Sequence, residues 1–216
     1  MSNIKMSFSN RENECVVAVS TKSLVGWRKW IVDAFLFYIS LFTKVKTTWL
    51  SRSAAVVSII AIDSVVLMVK RGPGCPDAVG KWVLPCGYVD WDENLTNAAI
   101  REIYEETGVN IITLIDSVKS APGIIISMNS FDGDGCPVFV RSAPNQDAKQ
   151  NISNYMVLDI HSTADFNYAL PDRDLSVVSS QEVSDVQWFT LTALAKMEES
   201  GVIGFSHYQK IKQFFG

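Results

Sequence analysis

The 216 residues carry a formal net charge of −4 and are 48% hydrophobic, which suits one globular domain of ordinary size with an elaboration and argues against two equal domains. No overall basic field is present to attract a polynucleotide, so a nucleotide partner must be held by local Lys, Arg and metal. Cys15, Cys75, Cys86 and Cys136 show neither C-x-x-C spacing nor dense pairing, which argues against a zinc site and points to reduced thiols in a cytoplasmic chain.

The N-terminus, MSNIKMSFSNRENEC, lacks the basic-then-apolar order of a secretory signal, and Cys15 to Val19 predicts a short strand. From Leu24 to Val45 the chain is apolar and aromatic, with Trp27, Trp30, Phe35, Phe37, Tyr38 and Phe42. Its polar residues Lys29, Asp33, Ser40 and Lys44 share one narrow stripe at helical spacing, so a helix here needs cover on most sides. The run from Trp30 to Thr43 falls short of the ~20 apolar residues a membrane span requires and contains Asp33. Packing on the main domain or across a homodimer is therefore the preferred reading. Contact with a membrane surface through residues 24–45, with Lys44 and Lys46 nearby, is the alternative.

Ser53 to Ile62 and Val65 to Arg71 are β-branched runs separated by Asp63-Ser64, which predicts a hairpin. A main domain over residues 53–216 begins here, preceded by an extension over residues 1–50. The segment Gly72 to Lys81, rich in Gly and Pro, predicts a loop bordering a pocket.

The stretch GYVDWDENLTNAAIREIYEETGV, Gly87 to Val109, holds the densest chemistry. Asp90 and Glu93 stand three apart, the spacing of a capping box that would start a helix at Asp90, and Gly108 supplies a left-handed stop. Ile100, Ile103, Tyr104 and Thr107 form the predicted buried stripe, while Glu102, Glu105 and Glu106 share another face. Such an arrangement is unfavourable for structure alone. Glu102 and Glu106 repel at i,i+4, acids in the last turn oppose the helix dipole, and Arg101 is the helix's one basic side chain. The missing positive charge is most simply a divalent cation, and hard carboxylate oxygens suit Mg²⁺ or Mn²⁺.

Beyond Val109, Asn110 to Val118 predicts a strand, as does Gly123 to Met128. A turn at Phe131 to Gly135 leads to a partner strand over Cys136 to Val140. After a polar loop, Ser142 to Ser153, further strands are predicted at Tyr155 to His161 and Glu182 to Phe189, then helices at Thr192 to Glu199 and Phe205 to Phe215. His161 and His207 share no motif and are read as surface or internally satisfied residues.

Taken whole, Gly87, then Glu93, Arg101-Glu102-Ile103, Glu105-Glu106 and Gly108-Val109 at their spacings resemble the Nudix box at every defined position. The preceding Gly80-Lys81-Trp82-Val83-Leu84-Pro85-Cys86-Gly87 is similar to the family's lead-in, except that Cys86 stands where glycine is usual and would be strained if its backbone required positive φ. The resemblance covers residues 53–216. It implies an α/β/α sandwich with a mixed β-sheet and hydrolysis of a nucleoside diphosphate linked to another moiety, such as ADP-ribose, a dinucleotide, a nucleotide sugar or a nucleoside triphosphate. By the same resemblance, Glu105 and Glu106 are direct metal ligands, Glu102 is a ligand or base, and Arg101 orients the acids. Gly87 offers its carbonyl to metal, and Glu93 braces the loop. Lys70 and Arg71 match a basic strand end that faces substrate, and Glu182 or Asp185 is placed to act as an additional base. Pro122 is similar, at a shorter offset, to a proline of the members that act on ADP-ribose. The competing function class is a sensor that binds a nucleotide derivative without turnover, which has no need of three mutually repelling glutamates.

Overall fold

The computed structural model describes residues 5–11, 14–20, 30, 34, 38, 54–90, 93–132, 135–142, 152–163 and 170–216. At the N-terminus, β1 (Lys5–Arg11) and β2 (Glu14–Ser20) form an antiparallel two-stranded sheet of their own. The strand expected at Cys15 is thus present, with a partner that no sequence signal marked. Within the predicted helix at 24–45, Trp30, Ala34 and Tyr38 are helical and exposed, and the rest of that expectation lies outside the described residues.

The main sheet is built on β3 (Ala54–Ile62), which is almost continuously apolar and buried from Ala55 onward, as befits a strand covered on both faces. It turns through Asp63 (φ 50°) and Ser64 (φ 64°), the left-handed pair of a tight hairpin, into β4 (Val65–Arg71). The remaining strands are β5 (Trp82–Val83), β6 (Cys86–Tyr88), β7 (Ile124–Asn129), β8 (Phe139–Ser142), β9 (Ile152–Ser162) and β10 (Val183–Thr190). Their order is β10-β4-β3-β9-β7, with β5 on β4, β6 on β3 and β8 on β9.

Period-two alternation along β3 divides the core. Val56, Ile60 and Ile62 pack with Ala98, Ala99 and Ile103 of α1 (Leu95–Thr107) and with Ile111, Leu114, Ile115 and Val118 of α2 (Ile111–Ser120). Val57, Ile59 and Ala61 pack with Leu194 of α3 (Leu191–Glu199) and Ile211 of α4 (His207–Phe215). Helices therefore cover both faces of a mixed sheet, the α/β/α arrangement expected. No helix among the described residues is long and apolar enough to cross a membrane.

Three local expectations are corrected. The segment after Val109 is the helix α2, not a strand. Asn110 caps it by accepting from Thr113 N at 3.1 Å, and its buried residues repeat at i, i+3, i+4, i+7, a period that outweighs the β-branched composition. α1 starts at Leu95 rather than at Asp90, because Asn94 accepts from Asn97 N at 2.8 Å and takes the cap position. Finally, β8 does not pair with β7. Ser130 N reaches Val157 O and Val138 N reaches Tyr155 O, both at 2.8 Å, so the two strands share β9 instead.

Candidate active site

β6 and α1 meet at a glycine. Gly87 lies opposite Val56 on β3, and a Cβ built on it would land on the Glu102 carboxylate. The lack of a side chain at Gly87 is what lets Glu102 lie against the strand. Gly108 ends α1 with φ 72°, donating its N–H to Tyr104 O at 2.8 Å, so Glu105 and Glu106 fall in the last turn and Glu102 one turn earlier.

Arg101 organises this end of the helix. Its Nη2 and Nε donate to Glu93 Oε1 and Oε2 at 2.6 and 3.1 Å, a two-pronged pair. Nη1 donates to Glu102 Oε1 at 2.7 Å and to Glu105 Oε2 at 3.3 Å, while Nη2 also reaches Tyr88 O at 2.9 Å. Glu93 in turn accepts from Asp90 N at 2.9 Å. The reach from Glu93 back to Asp90 thus exists as a loop brace, without Asp90 serving as helix cap. Glu106 accepts from Cys86 N at 2.9 Å. Cys86 begins β6 and is absent from the residues with left-handed backbone, so a cysteine at this position carries no such strain.

The electrostatics separate the acids. Burial pushes the Glu106 carboxyl up to about 8, aided by the charges of Glu102 and Glu182 and opposed by the Cys86 amide and Arg71. Burial also raises Glu102, against the pull of Arg101. Glu93 moves the other way: burial disfavours its charge, but the bonds from Arg101 and Asp90 prevail and hold its carboxyl low. Arg101 itself is raised, chiefly by Glu93.

These shifts predict a pH dependence. Between about pH 4.5 and about 8, the metal-free folded state retains a proton on Glu106 that the unfolded chain has released. Stability therefore declines as pH rises through that window, by at most ~1.4 kcal/mol per unit from this group. The melting temperature in chelator should fall across the window, and Glu106→Gln should flatten the slope. A wild-type profile that rises there would contradict a Glu106 carboxyl raised by desolvation.

The donors suit a hard divalent cation in kind: Glu102, Glu105, Glu106 and the Gly87 carbonyl are all oxygens, and Arg101 is the cation that stands among them. Among the described residues no three acids, histidines or cysteines already converge on one point, because Glu102 and Glu105 are turned onto Arg101 and Glu106 onto the Cys86 amide.

Of the other anticipated residues, Arg71 is close enough for its charge to be felt at Glu106, and so is Glu182. Lys70 instead places Nζ 5.9 Å from the Trp82 ring centroid. Asp185 accepts from Val186 N and Gln187 Nε2, both at 2.8 Å, along its own strand. His207 is buried, its Nδ1 accepting from Leu84 N at 2.9 Å, and His161 pairs with Asp159 at 2.9 Å, so both are satisfied as expected. Sequence reasoning misses Asp77 and Phe205, which hold Arg71, and no local signal marks either one.

A model of the NUDIX domain matches residues 50–207. An RNA pyrophosphohydrolase of Bartonella tribocorum (strain CIP 105476 / IBS 506) is 43% identical over 44 residues, a match that covers 20% of this chain and 25% of that protein. A bifunctional NMN adenylyltransferase/ADP ribose pyrophosphatase of Francisella tularensis, crystallised with AMP and manganese, superposes with a TM-score of 0.50 at 19% identity, covering 87% of this chain and 48% of that one. A Deinococcus radiodurans protein gives 0.50 at 17% identity, covering 76% and 84%. At these identities the two structures speak to the fold alone, and the chain spans a quarter to a half of the first two relatives.

Proposed function

This chain belongs to the NUDIX family, and from that premise we propose that it is a metal-dependent pyrophosphohydrolase acting on a nucleoside diphosphate linked to another moiety. The observation that carries the proposal is the carboxylate face of α1: Glu102 lies against Gly87, Glu102 and Glu105 share the guanidinium of Arg101, and Glu106 accepts from Cys86 N. A helix kept only for structure would not retain that repulsion.

Glu102, Glu105, Glu106 and the Gly87 carbonyl would hold Mg²⁺ or Mn²⁺, which when bound neutralises phosphate charge and acidifies a water. The protein's own contributions follow from its contacts. Arg101 fixes the carboxylates of Glu93, Glu102 and Glu105 from one centre, so the acids are set before substrate arrives. Glu106, whose carboxyl burial pushes up to about 8 in the metal-free protein, would give up its proton on taking a cation. Arg71 adds positive charge close enough to be felt at Glu106. Glu182 is the better placed of the two later acids to accept a proton, since Asp185 is engaged along β10.

An RNA pyrophosphohydrolase and an ADP ribose pyrophosphatase stand among the proteins this chain resembles, so a capped RNA end and ADP-ribose are included among the substrates to try. A panel of these with dinucleotides, nucleotide sugars and nucleoside triphosphates, each with Mg²⁺, Mn²⁺ or chelator, should give metal-dependent release of a nucleotide or phosphate product. Tight binding of one compound without turnover under every condition would favour the sensor class. Full activity in chelator would exclude the metal mechanism.

A further inference from the structure

Arg71 ends β4 where the chain enters the Gly72–Lys81 loop, and Asp77 of that loop and Phe205 near the C-terminus fix its position. Its Nε donates to Asp77 O at 2.9 Å and its Nη2 to Asp77 Oδ1 at 3.0 Å. Its Cζ lies 5.1 Å from the centroid of the Phe205 ring. The main chain closes the same loop from both sides, with Arg71 N on Lys81 O and Gly80 N on Arg71 O, each at 2.9 Å. The side chain of Arg71 is only 12% exposed, unusually low for an arginine at a strand end.

Phe205 is presented by a turn that L-residues rarely adopt. Phe205 and Ser206 both have φ 58°, and Ala78, beside Asp77, has φ 48°. The turn is tied to the strand leading into Gly87: Gly204 N donates to Trp82 O at 2.9 Å, and Leu84 N donates to His207 Nδ1 at 2.9 Å. A side chain on Gly204 would press on Val83 Cγ1 at 3.0 Å. The aromatic ring, the guanidinium and the carboxylate helix are therefore all referenced to one backbone segment.

We propose that Asp77 and Phe205 are positioning residues that hold the Arg71 guanidinium as a preset clamp for the pyrophosphate of the substrate. The proposal deepens, and rests on, the pyrophosphohydrolase reading. A free arginine gives up much rotamer freedom when it captures a phosphate, whereas one already held on a carbonyl, a carboxylate and a ring has given it up during folding. Asp77 takes Nε and one donor of Nη2, and the Nη1 donors take no partner among the described residues. They remain for the forked contact with phosphate oxygens that suits arginine. The competing account is that Asp77 and Phe205 only tether the loop and the turn.

Titration calorimetry of inorganic pyrophosphate into the full chain with Mg²⁺ separates the accounts. Arg71→Met should weaken binding roughly tenfold. Asp77→Ala, which removes the Oδ1 acceptor, and Phe205→Leu should each weaken it by roughly threefold to tenfold, while Phe205→Tyr, which keeps the ring, should bind like wild type. In the Arg71→Met background, adding Asp77→Ala or Phe205→Leu should cost nothing more, because their effect passes through the missing guanidinium. Unchanged binding in the Asp77 and Phe205 variants, or an undiminished loss in the Arg71→Met background, overturns the positioning role. Should Phe205→Leu unfold the turn, the Asp77 arm decides alone, since it leaves that turn intact. Wild-type binding that Arg71→Met leaves unchanged removes the clamp but not the function, whereas no pyrophosphate binding by wild type removes both.

Discussion

Glu105→Gln and Glu106→Gln are each expected to lower metal-dependent turnover by about 10³-fold or more while leaving the metal-free protein as stable as wild type. Glutamine keeps the shape and the helix propensity of glutamate, so the substitution removes charge and little else. At Glu106 the change should be mildly stabilising above about pH 5, because a carboxyl that burial drives to about 8 is replaced by a neutral amide whose oxygen can still accept from Cys86 N. At Glu105, which is 56% exposed and 3.3 Å from Arg101, the fold should not respond. Mg²⁺ or Mn²⁺ should raise the wild-type melting temperature by mass action and raise that of the variants less. Turnover and melting temperature, each with metal and with chelator, are the measurements. Variants that retain most of their activity would reduce the carboxylate face to a solvated surface.

Gly87→Ala is expected to cost about 10²-fold in turnover with only a small loss of stability. The backbone at Gly87 is ordinary strand, so alanine meets no conformational penalty there. The conflict is with the Glu102 carboxylate, the far end of a flexible side chain that can swing away while the core stays as it is. Swinging away takes Glu102 off Arg101 Nη1, now 2.7 Å distant, and off the face it shares with Glu105 and Glu106. A stable, inactive Gly87→Ala protein whose melting temperature no longer rises with metal would match this account. One with wild-type turnover would show that Glu102 need not lie against β6.

Where residues act on neighbours within a few positions, the amino-acid sequence by itself determined the outcome. The Asp63-Ser64 turn, the left-handed stop at Gly108 and the shared face of Glu102, Glu105 and Glu106 follow from backbone preference and helical period, which reach about one turn along the chain. Even the competition at Asn110 was legible in principle, since the spacing of Ile111, Leu114, Ile115 and Val118 is helical although the residue types favour strand. Tertiary structure alone decided the rest. Which asparagine or aspartate capped α1 depended on where β6 delivers the loop, and β8 found β9 rather than β7. The proton affinity of Glu106 rests on burial and on Cys86, 20 residues away, and the hold on Arg71 rests on a ring from the C-terminal turn. Desolvation and through-space charge act between groups that only packing brings together, and no periodicity in the chain encodes that distance.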